Sequence, residues 1–373
     1  MKARTIWALF IVVVVACSTV LISGCASGHK EFLYVVGQGT NEVFEFSAKS
    51  NGTLVPLGAP NFPAGIGPAA LLVHTSGDFL YVANFSGNDV TLLDINKGNG
   101  NLSVPVSNSV VAPVSPPNVF NTGSGPISMV MSPTAPFLYV ANQASGDISA
   151  YTVDPGAGGL AAIGTFPIAV GAHPQSMAIT PKGDFIFSAD PVNATVASFA
   201  VGNNGMLTAA APPVPVGAGA TPNSITIEHS GRFLYLADTA HNAVLGFAIQ
   251  GNGTLTAIAG SPFAAGTLPL AVAADPQGAL LYAANSGSNN VSAYIIDSST
   301  GALGAINGSP FATGGAGPSA LAVNSDSTVL YVTDSVSHDI ASLGILTGGG
   351  LKPVTGSPFT VAASGSAVVL VVR

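Results

Sequence analysis

The sequence predicts an all-β protein: a seven-bladed β-propeller, with four antiparallel strands per blade. Three observations lead there. One strand is written seven times, as FLYVV at Phe32, FLYVA at Phe79 and Phe137, FIFSA at Phe185, FLYLA at Phe233, LLYAA at Leu280 and VLYVT at Val329. Its central aromatic falls at Tyr34, Tyr81, Tyr139, Phe187, Tyr235, Tyr282 and Tyr331, at intervals of 47, 58, 48, 48, 47 and 49 residues. Each period holds four short runs rich in Val, Ile, Leu, Tyr and Phe, separated by Gly, Asn, Asp, Ser and Pro, and a period of this length with four strands describes a propeller blade. One such sheet cannot cover both its faces, but a ring of seven can.

The innermost strands follow a recurring proline, at Pro68, Pro126, Pro174, Pro222, Pro269 and Pro318, and a small residue comes two places later: Ala70, Ser128, Ser176, Ser224, Ala271 and Ala320. Small side chains suit the crowded axis of a propeller. In the last copy Ser364 replaces the proline and Ser366 takes the small-residue place. The first repeat starts directly at its second strand, near Glu31, and the chain ends in SAVVLVVR, an inner strand with no partner after it. The C-terminal strand is therefore expected to complete the first blade and leave no open edge. The long second interval places extra residues between Pro105 and Gly125, joining blades two and three as either a binding loop or a plain surface loop.

Residues 1–24 read as a secretory signal: Lys2 and Arg4, an apolar run from Ile6 to Ile22, then small residues before Cys25. The LISGC stretch resembles the bacterial lipobox, which implies lipidation and cleavage at Cys25; a membrane-spanning helix is the competing reading, with the run near the lower length limit. Residues 25–30 form a tether and 31–373 the propeller. With Cys17 removed and Cys25 lipidated, no cysteine is left for a disulfide or a thiolate metal site. The expected setting is an exported, membrane-anchored, monomeric lipoprotein. Only 7% of the 373 residues are charged and the net charge is −8, which argues against a nucleic-acid partner.

The FLYVAN and FLYLAD strands, the G-x-L outer strands and the GSPF turns at Gly260, Gly308 and Gly356 resemble those of the lactonase-type seven-bladed propellers, also described as carrying YVTN-type repeats. The resemblance covers Glu31 to Arg373. It implies the fold, and a lactone hydrolase of the 6-phosphogluconolactonase kind as one activity the fold can carry.

Propeller sites sit around the axis, on the face built by the turns between second and third strands and by the crossover loops from one blade's outer strand to the next inner strand. Here that face holds His173, His241, His338, Glu42, Asp89, Asp147, Asp190, Asp238, Asp334 and Asp339. It holds no Lys or Arg: Lys49 and Lys97 fall in third-to-outer turns, Lys182 and Arg232 in inner-to-second turns, Lys352 on an outer strand, and Lys30 and Arg373 at the two ends. Phosphate recognition normally uses Arg or Lys, so a phosphorylated lactone is disfavoured and an uncharged one is not. For that chemistry a His or carboxylate activates water and backbone amides hold the oxyanion.

His173, His241 and His338 are the catalytic candidates, with His173, beside Pro174 at the rim, the first choice. Asn84, Asn142, Asp190, Asp238, Asn285 and Asp334 recur at one offset, as do Asp89, Asp147 and Asp339 before the third strands, and both series read as turn-forming residues. His74 and His229 lie at the far ends of inner strands. Gly65–Ala70 and Gly315–Ala320 match G-x-G-x-x-A, but each contains Pro and opens a strand, so neither is a dinucleotide loop. No G-x-S-x-G, H-E-x-x-H or C-x-x-C occurs, the carboxylates are spread around the ring, and neither cofactor nor metal is expected.

Two functions follow. The working expectation is a binding or scaffold module at the cell envelope, with a protein, glycan or lactone as ligand. It draws on the cation-free face, the repeated Asx residues and the tether. The alternative is the lactonase-type hydrolase.

Overall fold

The computed structural model describes residues 30–58, 61–105, 118–169 and 171–361, and the backbone of 367–372. It is a seven-bladed β-propeller with no helix among these residues. The signal segment and Cys25 lie outside them.

Blade two shows the plan. Pro68–Val73 is innermost, followed by Phe79–Asn84, Asp89–Ile95 and an outer strand in two pieces, Leu102–Ser103 and Val119–Asn121. All pairings are antiparallel. The second strands are buried on both faces, so they read as unbroken apolar runs and not as alternation. Neighbouring inner strands pack against each other all the way round, including 318–323 against 367–372 and 367–372 against 68–73.

The C-terminal strand Ala367–Val372 pairs with Glu31–Gly37 from Phe32↔Val372 to Gly37↔Ala367, as the sequence leads one to expect. Its register corrects one detail. Val368 faces Val36 just as Ala70 faces Ala83, so Val368 takes the small-residue place that the sequence assigns to Ser366, which lies outside the described residues. The run lacks the proline that sets the register elsewhere, so its sequence slides by two residues without changing faces.

The long interval is also placed differently. It interrupts the outer strand of blade two between Ser103 and Val119 and does not link blades two and three. Asn118 marks its return, donating from Nδ2 to the Leu92 carbonyl at 3.2 Å. Residues 106–117 lie outside the description. Blades three and four instead have continuous outer strands, Leu160–Pro167 and Leu207–Pro215. In blades five to seven the GSPF turn splits the outer strand, and its serine hydroxyl accepts a third-strand N–H: Gly246 N to Ser261, Ala293 N to Ser309, Ser342 N to Ser357, at 2.8–3.0 Å. The hydroxyl satisfies a donor that the broken strand leaves unpaired.

The core consists of layers between adjacent blades. Leu33, Val35, Phe44 and Phe46 of blade one pack with Val329, Tyr331 and Ile340 of blade seven, so first and last blades share one apolar layer. In five blades the repeated tyrosine ties one blade to the next. Tyr34, Tyr81, Tyr139, Tyr235 and Tyr282 donate their buried hydroxyls to the carbonyls of Gly100, Gly158, Gly205, Gly301 and Gly349, in the third-to-outer turn of the following blade. Burial pushes all five phenols far above their usual range. The inner-strand serines act likewise: Ser128, Ser176 and Ser224 accept from Met177, Ile225 and Val272 N–H of the next inner strand at 3.0, 3.3 and 3.0 Å. The small residue at the axis is thus an inter-blade acceptor in three blades, in addition to being small. Each such bond contributes roughly 1 kcal/mol.

Candidate active site

The turn between second and third strands is built alike in most blades. Its fifth residue is left-handed: Asn41, Asn88, Asn242 and Asn289 at φ 55–57°, Gly146 at φ 71°, Ala194 at φ 51° and His338 at φ 57°. Asn tolerates that conformation best after Gly. In four blades the asparagine also reaches across the ring, where Oδ1 accepts the N–H of Gly67, Gly125, Leu268 or Gly317 in the next crossover loop, each at 2.8 Å. His338 occupies this clip position. Its ring Nδ1 is buried, and residues 362–366 are outside the described residues.

The two aspartates that end second strands in blades four and five anchor the preceding crossover loops. Asp190 Oδ2 accepts the backbone N–H of His173 at 2.9 Å, and Asp238 Oδ1 accepts that of Thr221 at 2.8 Å. His173 and Thr221 are therefore equivalent positions before Pro174 and Pro222. His173 meets Asp190 through its backbone, not its ring.

Blade five adds what blade four lacks. Three residues after Asp190, Asn193 donates from Nδ2 to Asp190 Oδ2 at 2.7 Å. Three residues after Asp238 stands His241, whose Nδ1 lies 2.6 Å from Asp238 Oδ2. Asp238 is 1% exposed, whereas the His241 side chain is 49% exposed. A buried carboxylate facing a ring nitrogen selects the tautomer: Nδ1 carries the hydrogen and donates it, and Nε2 is the acceptor of the neutral ring. The Thr221 N–H holds the other carboxylate oxygen, so the dyad is itself oriented. Base, orienting acid and an amide behind the acid match the arrangement that activates a nucleophile in hydrolases. Next to it Asn223 Nδ2 donates to Thr239 Oγ1 at 2.5 Å, and that hydroxyl donates to the Pro269 carbonyl at 2.7 Å.

The face around the dyad is uncharged or acidic. Ile66, Leu268, Val192 and Val336 are exposed on its crossover loops and turns. The described Lys and Arg residues lie elsewhere: Lys97 pairs with Asp78 at 2.8 Å in turns on the opposite face, and Arg232 stacks on Phe233 there. His74 is on that opposite face too, bonded to Ser76 at 2.8 Å; burial lowers its pKa. Among the described residues, no group of three or more His, Cys, Asp or Glu side chains is arranged to hold a metal ion.

The seven-bladed β-propeller architecture sets the class. The family model of the lactonase seven-bladed β-propellers matches residues 25–221 and 217–313, and the chain belongs to that family. Solved structures agree in fold. A candidate 6-phosphogluconolactonase from Bacteroides uniformis superposes with a TM-score of 0.76 at 20% identity, covering 92% of this chain and all of that one. One from Bacteroides fragilis gives 0.76 at 19% identity, over 94% of this chain and all of its own. The periplasmic gluconolactonase PpgL of Pseudomonas aeruginosa gives 0.73 at 20% identity, over 92% of this chain and 99% of its own. A comparison with curated proteins gives no match. The family favours the hydrolase reading over the scaffold reading that the sequence first suggests.

Proposed function

We propose that this protein is a lactone hydrolase acting on an uncharged lactone, with His241 as general base and Asp238 as the residue that orients it. The observation that carries this is the 2.6 Å contact between His241 Nδ1 and buried Asp238, on a face whose described residues include no Lys or Arg. Nε2 takes a proton from water as the water oxygen bonds to the lactone carbonyl carbon. The ring C–O bond then breaks, and the departing oxygen receives that proton from His241. The product is a hydroxy acid, and no cation is required. Family membership and the periplasmic gluconolactonase among the structural neighbours support lactone chemistry. That the described residues of this face include no Lys or Arg favours an uncharged substrate over a phosphorylated one.

The test is hydrolysis of a small panel of neutral and phosphorylated lactones by purified protein starting at Ala26. Neutral lactones are expected to turn over and phosphorylated ones to be slower by at least tenfold, about 1.4 kcal/mol of transition-state binding. Preference for the phosphorylated compound would show that cations outside this face form the site. No turnover on any would return the protein to the binding-module reading.

We also propose that the chain is exported and lipid-anchored at Cys25, on the strength of the LISGC stretch. Cys25→Ser is expected to move the protein from the membrane to the soluble fraction, and an unchanged membrane fraction would sink the anchor.

A further inference from the structure

Blade seven breaks the pattern at one corner. Where the second strand ends, blades two, three and six carry Asn84, Asn142 and Asn285. Each donates from Nδ2 to the residue that opens the third strand: Asp89 at 2.5 Å, Asp147 at 2.6 Å and Asn290 at 2.8 Å. The same nitrogen meets the hydroxyls of Thr91, Ser149 and Ser292. In blade seven the two places hold Asp334 and Asp339, paired across the strands, and Ala341 stands where the hydroxyl would be.

Two ionised carboxylates facing each other are all acceptor and no donor. Asp334 is 1% exposed, and neither of its oxygens, nor Oδ1 of Asp339, receives a well-formed hydrogen bond from the described residues. The two side chains converge on one spot. A Cβ added to Gly315 would stand 2.4 Å from Asp334 Oδ2 and 2.5 Å from Asp339 Oδ1, so only glycine lets the crossover loop close over the pair.

We propose that Asp334 and Asp339 hold one proton between them in the folded protein, giving the last blade a proton-dependent latch where other blades use an amide. A shared proton restores the donor that Asn84 and Asn142 supply. Burial is the main reason Asp334 keeps its proton, pushing it to about 8; the Thr313 hydroxyl opposes this and the Asp339 charge adds to it. No described cation offsets the pair. The crossover loop over it contributes Thr313 and no charge. The adjoining turn of blade six contributes neutral Asn289, bonded to Gly317 N. His338 precedes Asp339 in this turn: its backbone N–H goes to the Asp334 carbonyl at 2.9 Å, and its buried ring Nδ1 has no partner among the described residues.

The sign follows from proton counting. An unfolded aspartate releases its proton near pH 3.9. The folded one keeps it to about 8, so the native state binds more protons between those values. The contribution to stability is therefore full below about pH 4, declines as pH rises towards 8, and then levels off.

Thermal melts of the whole protein from pH 5 to 9, for wild type and Asp334→Asn, test this. Other groups titrate in both proteins, so the difference isolates the pair. Asp334→Asn supplies a permanent donor, and its Tm is expected to exceed that of wild type by a margin that widens between pH 5 and 8 and then stays constant. Parallel profiles for the two proteins overturn the proposal. If Asp334→Asn does not fold, Asp339→Asn serves, with the same widening margin expected and parallel profiles again overturning it. A rise in wild-type Tm at pH 8 with millimolar calcium or magnesium chloride, absent in the variant, would also overturn it by assigning the corner to a cation.

Discussion

Deleting residues 367–373 should abolish the cooperative folding transition, although it removes no residue of the candidate site. Six residues of Glu31–Gly37 pair with this strand, from Phe32 to Gly37. Without it that strand becomes an edge facing the axis, yet Leu33, Tyr34, Val35 and Val36 are fully buried in the intact ring. The loss spreads beyond one blade, because 367–372 also packs against the inner strands 68–73 and 318–323. Exposing even half of three large apolar side chains costs about 2–5 kcal/mol. The severed ladder adds roughly 1 kcal/mol for each unpaired buried group. Domains are stable by only about 5–15 kcal/mol, so the sum is of the same order as the whole. Circular dichroism melts of the truncated chain should show a broad, non-cooperative change or aggregation. A melting temperature equal to that of the full chain would mean that the other six blades hold the first by themselves.

The ring and its closure were legible because they depend on periodicity, which survives in any single repeat. What the repeated residues do was less legible. Tyr34, Tyr81 and Tyr139 mark the period in sequence, but only the fold shows their hydroxyls bound to glycine carbonyls in the next blade. Phe187 keeps the packing and lacks the hydroxyl. A long interval does not reveal which strand it interrupts, so the sequence places the insertion between blades two and three and not within an outer strand. Among the histidines, sequence favoured His173 for its place beside Pro174. It passed over the pairing of His241 with Asp238, because Asp-x-x-His at 238–241 looks like the turn residues around it. The available signal was the comparison with Asp-x-x-Asn at 190–193: one frame, with a titratable ring in place of an amide. The Asp334–Asp339 pair was hidden in the same way, since each aspartate alone matches its column and only their joint occurrence breaks the pattern.

His241→Ala should lower kcat/KM for a neutral lactone by about 10²–10⁴-fold, the usual contribution of a positioned general base, or roughly 3–5 kcal/mol of barrier. The melting temperature should change little, because the ring is half exposed and its one described bond is to Asp238. Asp238→Asn should cost up to about 10⁴-fold, because an amide keeps the geometry but can present its N–H to Nδ1 and so no longer fixes the tautomer. It should also lower stability by about 1 kcal/mol if the amide turns its nitrogen towards the Thr221 N–H. His173→Ala is the discriminating control. Its backbone N–H to Asp190 survives the substitution, so activity and stability should both stay near wild type. Full activity in His241→Ala combined with loss in His173→Ala would move the base one blade back. The Asp238 contact would then have the role that Asn193 gives its counterpart, a side-chain cap on a tight turn.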